Sequence, residues 1–207
     1  MVEKQLRQRG IRDERVLAAM RKVPRHEFVP DFSRSDSYDD EPLLIGAGQT
    51  ISQPYMVAAM AEALDLNGSE RVLEVGTGCG YHAAVLAELA GEIFTVERER
   101  ELVKMARENL ARTGYDRITV IHGDGSLGYP AAAPFQAISV AAAAPEVPYR
   151  LLDQLDEENG RLVIPVGSLE DQELRLIRKS KGGIRTRVVS YCRFVPLRGA
   201  LAWRVEE

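Results

Sequence analysis

Apolar residues change their period along this chain. Residues 2 to 22 are rich in charge, with Val2, Leu6, Val16, Leu17 and Met20 at helical intervals around Gly10, which predicts two short amphipathic helices forming an N-terminal cap. The next stretch, VPRHEFVPDFSRSDSYDDEPLLIG, has the Pro, Asp and Ser of a loop but enough Phe, Leu and Ile to pack, so an ordered covering segment is expected. Residues 55–64, YMVAAMAEAL, have helical spacing with Pro54 at the start. Beyond them RVLEVG (71–76), EIFTVE (92–97), ITVIHG (118–123), FQAISVA (135–141) and GRLVIPVG (160–167) read as strands, the first three separated by the helical patterns GYHAAVLAELA and RERELVKMARENLAR. This alternation implies right-handed crossovers and an open, mostly parallel α/β sheet. ELRLIRKS and IRTRVVSYCRFVP around KGG predict a hairpin, so the sheet ends antiparallel. One stretch fits no period for its whole length: GQTISQPYMV (48–57) places the hydroxyls of Thr50 and Ser52 just before a helix.

Composition narrows the class. The 207 residues, 45% apolar and 28% charged, suit one domain, with 1–54 as helical additions and cover and 55–207 as the α/β core. A net charge of −4 with interspersed signs argues against nucleic acid or an anionic membrane as partner. The N-terminal segment has no apolar leader-like stretch and no apolar run approaches the ~20 residues of a membrane span, so a cytoplasmic protein is expected. Cys79 and Cys192 lack metal-ligand spacing and are too few for a disulfide framework, which fits a reducing compartment.

Candidate chemistry begins at Glu74-Val-Gly-Thr-Gly-Cys-Gly80, where a strand turns into a helix. Glycines at 76, 78 and 80 let a ligand approach the backbone at the carboxyl end of the sheet. A dinucleotide fingerprint needs a small residue at 81, and Tyr81 stands there; Glu74 opposes a pyrophosphate but attracts the ammonium and sulfonium of S-adenosylmethionine. Glu97 ends the second strand at the spacing of a ribose acceptor, although acids also start helices. Asp124 in HGDGS is placed to accept from an adenine amino group with Gly125 leaving room, or to form a turn. Together these residues favour S-adenosylmethionine. The Asn/Asp-Pro-Pro-aromatic pattern of amino-group methylation is replaced by Ala141-Ala-Ala-Ala-Pro145, and neither cysteine precedes a proline as in pyrimidine C5 methylation. A carboxylate acceptor needs neither, because with a pKa near ~4 it is already a nucleophile at neutral pH. His26, His82 and His122 lack the companions of a metal site, and His82 is expected to pack over the cofactor.

GQTISQPYMVAAM, VLEVGTGCGYHAAVLAEL, HGDG, VPRHEFVP and RFVPL together resemble the protein-L-isoaspartate (D-aspartate) O-methyltransferase family over nearly the whole chain. The resemblance implies a Rossmann-like S-adenosylmethionine-dependent methyltransferase fold and methyl transfer to L-isoaspartyl, and D-aspartyl, carboxylates of damaged proteins and peptides. The ester would collapse to a succinimide whose hydrolysis regenerates some normal aspartate. It also implies substrate contacts from Thr50, Ile51 and Ser52, with Ser52 beside the acceptor, and cofactor contacts from Gln53, Glu74, Gly76, Thr77, Gly78, Glu97, Asp124 and Gly125; a monomer is favoured. Both hydroxyls of the TIS segment have an alternative role as helix caps. Ser126, Tyr129, Gln136 and Ala141 depart from the family pattern, which opens the expectation of an altered substrate pocket. Two other functions remain open at this point: a methyltransferase for another acceptor, and a non-catalytic S-adenosylmethionine-binding protein. A dehydrogenase is third, weakened by Tyr81 and Glu74.

Overall fold

The computed structural model describes residues 1–204. Val2 and Leu6 are buried on a single π-helical turn (Val2–Leu6), followed by a 3-10 turn (Arg7–Arg9) that stops at Gly10, whose φ of +103° an L side chain rarely adopts. The first of the two expected helices is therefore only a turn. The second, α1 (Glu14–Lys22), starts at Asp13, whose carboxylate accepts from the Arg15 amide at 2.8 Å, and buries Val16, Leu17 and Met20. The covering segment contains two 3-10 turns, Arg25–Glu27 and Asp31–Ser33. Arg25 is wholly buried there, its Nε donating to the Ser37 carbonyl at 2.7 Å.

The segment expected to be irregular is partly strand. Leu43–Gly46 (β1) and Gln49–Ile51 (β2) form a small antiparallel hairpin with Leu44 opposite Thr50 and Leu43 opposite Ile51. Three or four residues are too few to display alternation in the sequence, which is why the pairing was not expected. Helix α2 (Pro54–Leu64) follows, with nine of its eleven residues buried.

The core sheet has the order β5-β4-β3-β6-β7-β8-β9, built from Arg71–Val75 (β3), Glu92–Glu97 (β4), Thr119–His122 (β5), Ala137–Val140 (β6), Gly160–Gly167 (β7), Gln172–Ser180 (β8) and Gly183–Cys192 (β9). Strands β3 to β7 are parallel, and β8 and β9 run antiparallel. The chain moves outward from β3 to β5 and then returns to the other side of β3, so helices α3 (Tyr81–Ala87) and α4 (Arg100–Arg112) share one layer with α1 and α2 while α5 (Tyr149–Asp153) packs on the opposite layer. A crevice opens where the direction reverses, beyond the carboxyl ends of β3 and β6. At the far side β9 is an edge strand with Ile184, Val188 and Tyr191 exposed. Arg161, Arg178 and Arg185 stand in register across β7, β8 and β9.

The two layers meet the sheet through apolar side chains, among them Leu64, which has no solvent exposure at the end of α2. Leu64→Ala is expected to lower the unfolding free energy by about 2–5 kcal/mol in urea denaturation, through lost transfer energy and the cavity left behind. Leu44→Ala, at a position 61% exposed, should stay within about 0.5 kcal/mol of the parent.

Candidate functional site

The crevice contains three adjoining spaces. A cleft of about 610 Å³ lies over the strand ends, walled by Val75, Gly76, Gly78, Glu97 and Gly125 and closed by Val195 to Arg198 from the segment after β9. A tighter recess of about 340 Å³ reaches beneath the glycine loop to Ser52, Thr77 and His82, and a groove of about 1040 Å³ runs outward past Ser52, Gln53, Met56 and Arg193. Thr50 and Ala141 line all three. Open solvent forms part of each volume; the cleft and recess are the narrow spaces and the outward groove is the roomy one, which suits an extended chain.

Glycine at this loop is required by space and by conformation. Gly76 and Gly78 have φ of +92° and +54°, and a Cβ on Gly125 would come within 2.5 Å of the Val75 Cγ1. Glu97 holds the loop against the next strand end. Its Oε2 accepts from the Gly78 amide at 2.9 Å, and its Oε1 accepts from the amides of Arg98 at 2.8 Å and Glu99 at 2.9 Å. The acid thus both lines the cleft and organises the start of the segment leading to α4.

Glu74 is placed differently from the sequence expectation. It has no exposure and lines none of the three spaces, because alternation along β3 turns it away from Val75 and toward the α3 layer. Its Oε2 accepts from Thr95 Oγ1 at 2.5 Å, and Thr95 Oγ1 in turn lies 2.6 Å from Thr77 Oγ1. Burial pushes this carboxyl up to about 8, and the charge of Glu97 adds to the effect. Its other oxygen is 3.6 Å from His82 Nδ1, and burial lowers that imidazole to about 4. Burial thus favours the neutral form of both groups, and Glu74 stands behind the recess rather than in its lining.

Asp124 also stands outside the cleft that Gly125 lines. Its Oδ1 accepts from the amide and hydroxyl of Ser126, at 2.9 and 2.7 Å, and its Oδ2 accepts from the Ala200 amide at 2.7 Å. It caps a 3-10 turn and ties down the C-terminal segment, a role a Gly-Asp-Gly sequence also encodes. Ser126 joins that tie, its Oγ accepting from the Leu201 amide at 3.1 Å, in a space where a Cβ on Gly199 would already collide. Gln136 binds the Arg71 amide at the opposite end of the sheet, away from the groove. Of the four departures Ser126, Tyr129, Gln136 and Ala141, only Ala141 lines the groove.

Ile51 is 4% exposed and lines the recess, and Gln53 lines the groove. Neither Ser52 nor Thr50 caps α2. Gln53 is the N-cap residue without a side-chain bond, Pro54 has no amide hydrogen, and the Tyr55 amide donates to Asp40 at 2.8 Å. Among the described residues the two hydroxyls have no hydrogen-bond partner, and they face the spaces instead. The residues missed from sequence are the closing wall, Val195 to Arg198; their signal was the RFVPL motif, whose position over the cleft depends on long-range folding.

The family model for protein-L-isoaspartate (D-aspartate) O-methyltransferase matches residues 1–202. The chain belongs to this family. A protein-L-isoaspartate O-methyltransferase of Methanoculleus marisnigri is 54% identical over 206 residues, covering 100% of this chain and 93% of the relative. A solved protein-L-isoaspartate O-methyltransferase superposes with a TM-score of 0.87 at 31% identity, covering 98% of this chain and 67% of that one. A family structure from Plasmodium falciparum, in complex with S-adenosyl-L-homocysteine, superposes with a TM-score of 0.82 at 29% identity, covering 95% and 96% of the two chains. S-adenosylmethionine is accordingly the methyl donor, and the residues here fit it. Gly76 and Gly78 hold backbone conformations that an L side chain rarely adopts, a Cβ on Gly125 would collide with Val75, and the buried Nε2 of His82, which lines the recess, has no protein partner among the described residues.

Glu97→Ala should weaken S-adenosylmethionine binding by about tenfold to a hundredfold in calorimetry, because three amides lose a charged acceptor. Glu74 has a folded pKa raised above its unfolded value of ~4.3, so its contribution to stability is full below that value and lost as pH rises toward 8. Glu74→Gln should therefore flatten the decline of unfolding free energy between pH 5 and pH 8, as read from urea melts across that range. Each tenfold difference in proton affinity between the folded and unfolded carboxyl corresponds to about 1.4 kcal/mol of that decline.

Proposed function

We propose that this chain is a protein repair enzyme that methylates the free carboxylate of L-isoaspartyl residues in damaged proteins and peptides, with Ser52 aligning that carboxylate. The observation that carries the role of Ser52 is its unpartnered hydroxyl at the seam between groove and recess. S-adenosylmethionine, when bound, supplies an electrophilic methyl on a sulfonium sulfur. The protein's contribution is to hold the acceptor. An extended peptide fits the groove, where Arg193 is the one charged residue among the described residues lining it and favours a carboxylate over an amide. Ser52 Oγ donates to one carboxylate oxygen, leaving the other to attack, and Thr50, from the strand paired with β1, supports the peptide beside it. Val195, Pro196 and Leu197 cover the cleft and exclude water.

No general base is needed, because the acceptor is ionised at neutral pH. The histidines agree with this. His26 is engaged with Tyr38 and His122 with the Arg98 carbonyl, while His82 is held neutral by burial. D-aspartyl residues are the second acceptor class of the same groove, since they too present a displaced carboxylate. The reading includes a cytoplasmic, monomeric protein acting on proteins rather than nucleic acid. The free Cys79 and Cys192 support the reducing compartment in that reading, and no helix among the described residues is long and apolar enough to cross a membrane.

The test is transfer of labelled methyl to matched isoaspartyl and aspartyl peptides. Selective, base-labile labelling of the isoaspartyl peptide is expected; equal labelling of both, or binding of S-adenosylmethionine without transfer, would overturn the proposal. Ser52→Ala should slow single-turnover transfer by about tenfold to a hundredfold at nearly unchanged cofactor affinity, the loss of a hydrogen bond to a charged group. Its melting temperature should stay near the parent's, because the serine caps nothing.

A further inference from the structure

Ser52 is bracketed by two anchors, and only one of them belongs to its own hairpin. On the N-terminal side Thr50 and Ile51 pair with Leu44 and Leu43. On the C-terminal side the chain must turn into α2, yet the helix start provides no cap of its own. Asp40, fifteen residues before Tyr55, fills that place. Its Oδ1 accepts from the Tyr55 amide at 2.8 Å, and its Oδ2 lies 3.4 Å from Gln53 Nε2 and within an ion pair with Arg9. The Arg9 guanidinium sits 3.8 Å above the Tyr55 ring, so Tyr55 is gripped through both its amide and its face. The Asp40 side chain is 15% exposed, and Arg25 fixes the approach to it through the Ser37 carbonyl.

From this arrangement we propose that Asp40 is a positioning residue for methyl transfer, acting through Ser52. A carboxylate at a helix N-terminus is favoured by the free amides and the helix dipole, so its position defines where α2 begins. Ser52 precedes the N-cap by one residue and has no bond of its own to hold it. The direction in which the chain leaves β2 and enters α2 therefore sets where its hydroxyl points. Asp40 lines none of the three spaces, touches neither cofactor cleft nor groove, and influences the reaction only through residues 52 to 55. The short interval between β2 and the N-cap leaves too little chain to absorb a shift at Tyr55 without moving Ser52.

This rests on the role given to Ser52 above, and a double-mutant cycle separates the two. Single-turnover transfer to an isoaspartyl peptide is measured for the parent, Asp40→Ala, Ser52→Ala and the double variant, with S-adenosylmethionine affinity measured alongside. Asp40→Ala is expected to slow transfer about tenfold at an affinity within about twofold of the parent, and the double variant to be no slower than Ser52→Ala alone. Asp40→Asn, which keeps an acceptor for the Tyr55 amide, should recover most of the rate, a recovery that loss of overall stability would not produce. If Asp40→Ala does not fold, Asp40→Glu replaces it; keeping the charge but displacing it, this variant must slow transfer several-fold in the parent and not at all in the Ser52→Ala background. Deficits that multiply, or a normal rate in the Asp40 variants, overturn the inference while leaving the repair activity standing. A Ser52→Ala protein with normal transfer overturns both roles, and absence of methylation in the parent sinks the functional reading itself.

Discussion

Much of the site's geometry depends on one carboxylate gathering three amides. Glu97 takes a hydrogen from Gly78, at the end of β3, and from Arg98 and Glu99, at the end of β4. Neighbouring parallel strands are fixed to each other along their length by the ladder, but at their carboxyl ends the loops diverge and their amides lose partners. Bringing those amides to a single buried anion keeps the loop low enough for a ligand to approach it. Glycine is then required at 76, 78 and 125, since a side chain at any of them would be strained or would take up the space this anchoring creates.

The second organising device works from outside the sheet. The N-terminal cover contributes no strand to the core, yet Asp40 starts α2, Arg25 lies wholly buried with its guanidinium 4.9 Å from the Tyr81 ring of the glycine-loop helix, and Ile45 stands where a Cβ on Gly78 would press against it. The cover is thus part of the site. Residues far apart in sequence determine whether the hydroxyls of one short hairpin face a ligand.

The strands and their order of direction were legible because buried parallel strands are continuous apolar runs flanked by helical periods, as in RVLEV and EIFTVE. The glycine loop was legible for the same local reason. Less accessible were features decided by tertiary contact. Glu74 and Val75 are adjacent in the sequence but face opposite layers, and only the fold shows which of them borders the cleft. Asp124 has the right strand-end position for a ligand, but Ser126 and Ala200 occupy its oxygens once the C-terminal segment has returned. Gln136 and Ala141 both depart from the family pattern, but the strand between them puts the two at opposite ends of the sheet, and only Ala141 lines the groove. The TISQP segment was recognisable as special, and Asp40 was not, because its relation to Tyr55 spans fifteen residues of mostly irregular chain.

The row of Arg161, Arg178 and Arg185 across the last three strands has a consequence for how this molecule meets its own copies. Directly opposed cations on neighbouring strands repel, and only Arg161 is compensated among the described residues, by Glu70 at 3.0 Å. The ten-residue edge of β9, with apolar Ile184 and Val188 outward, is the kind of surface on which sheets extend from one molecule to the next. Arg185 and Arg187 place positive charge along that edge, so an identical edge approaching it would bring cations against cations. The repulsion works against edge-to-edge polymerisation of the protein with its own copies.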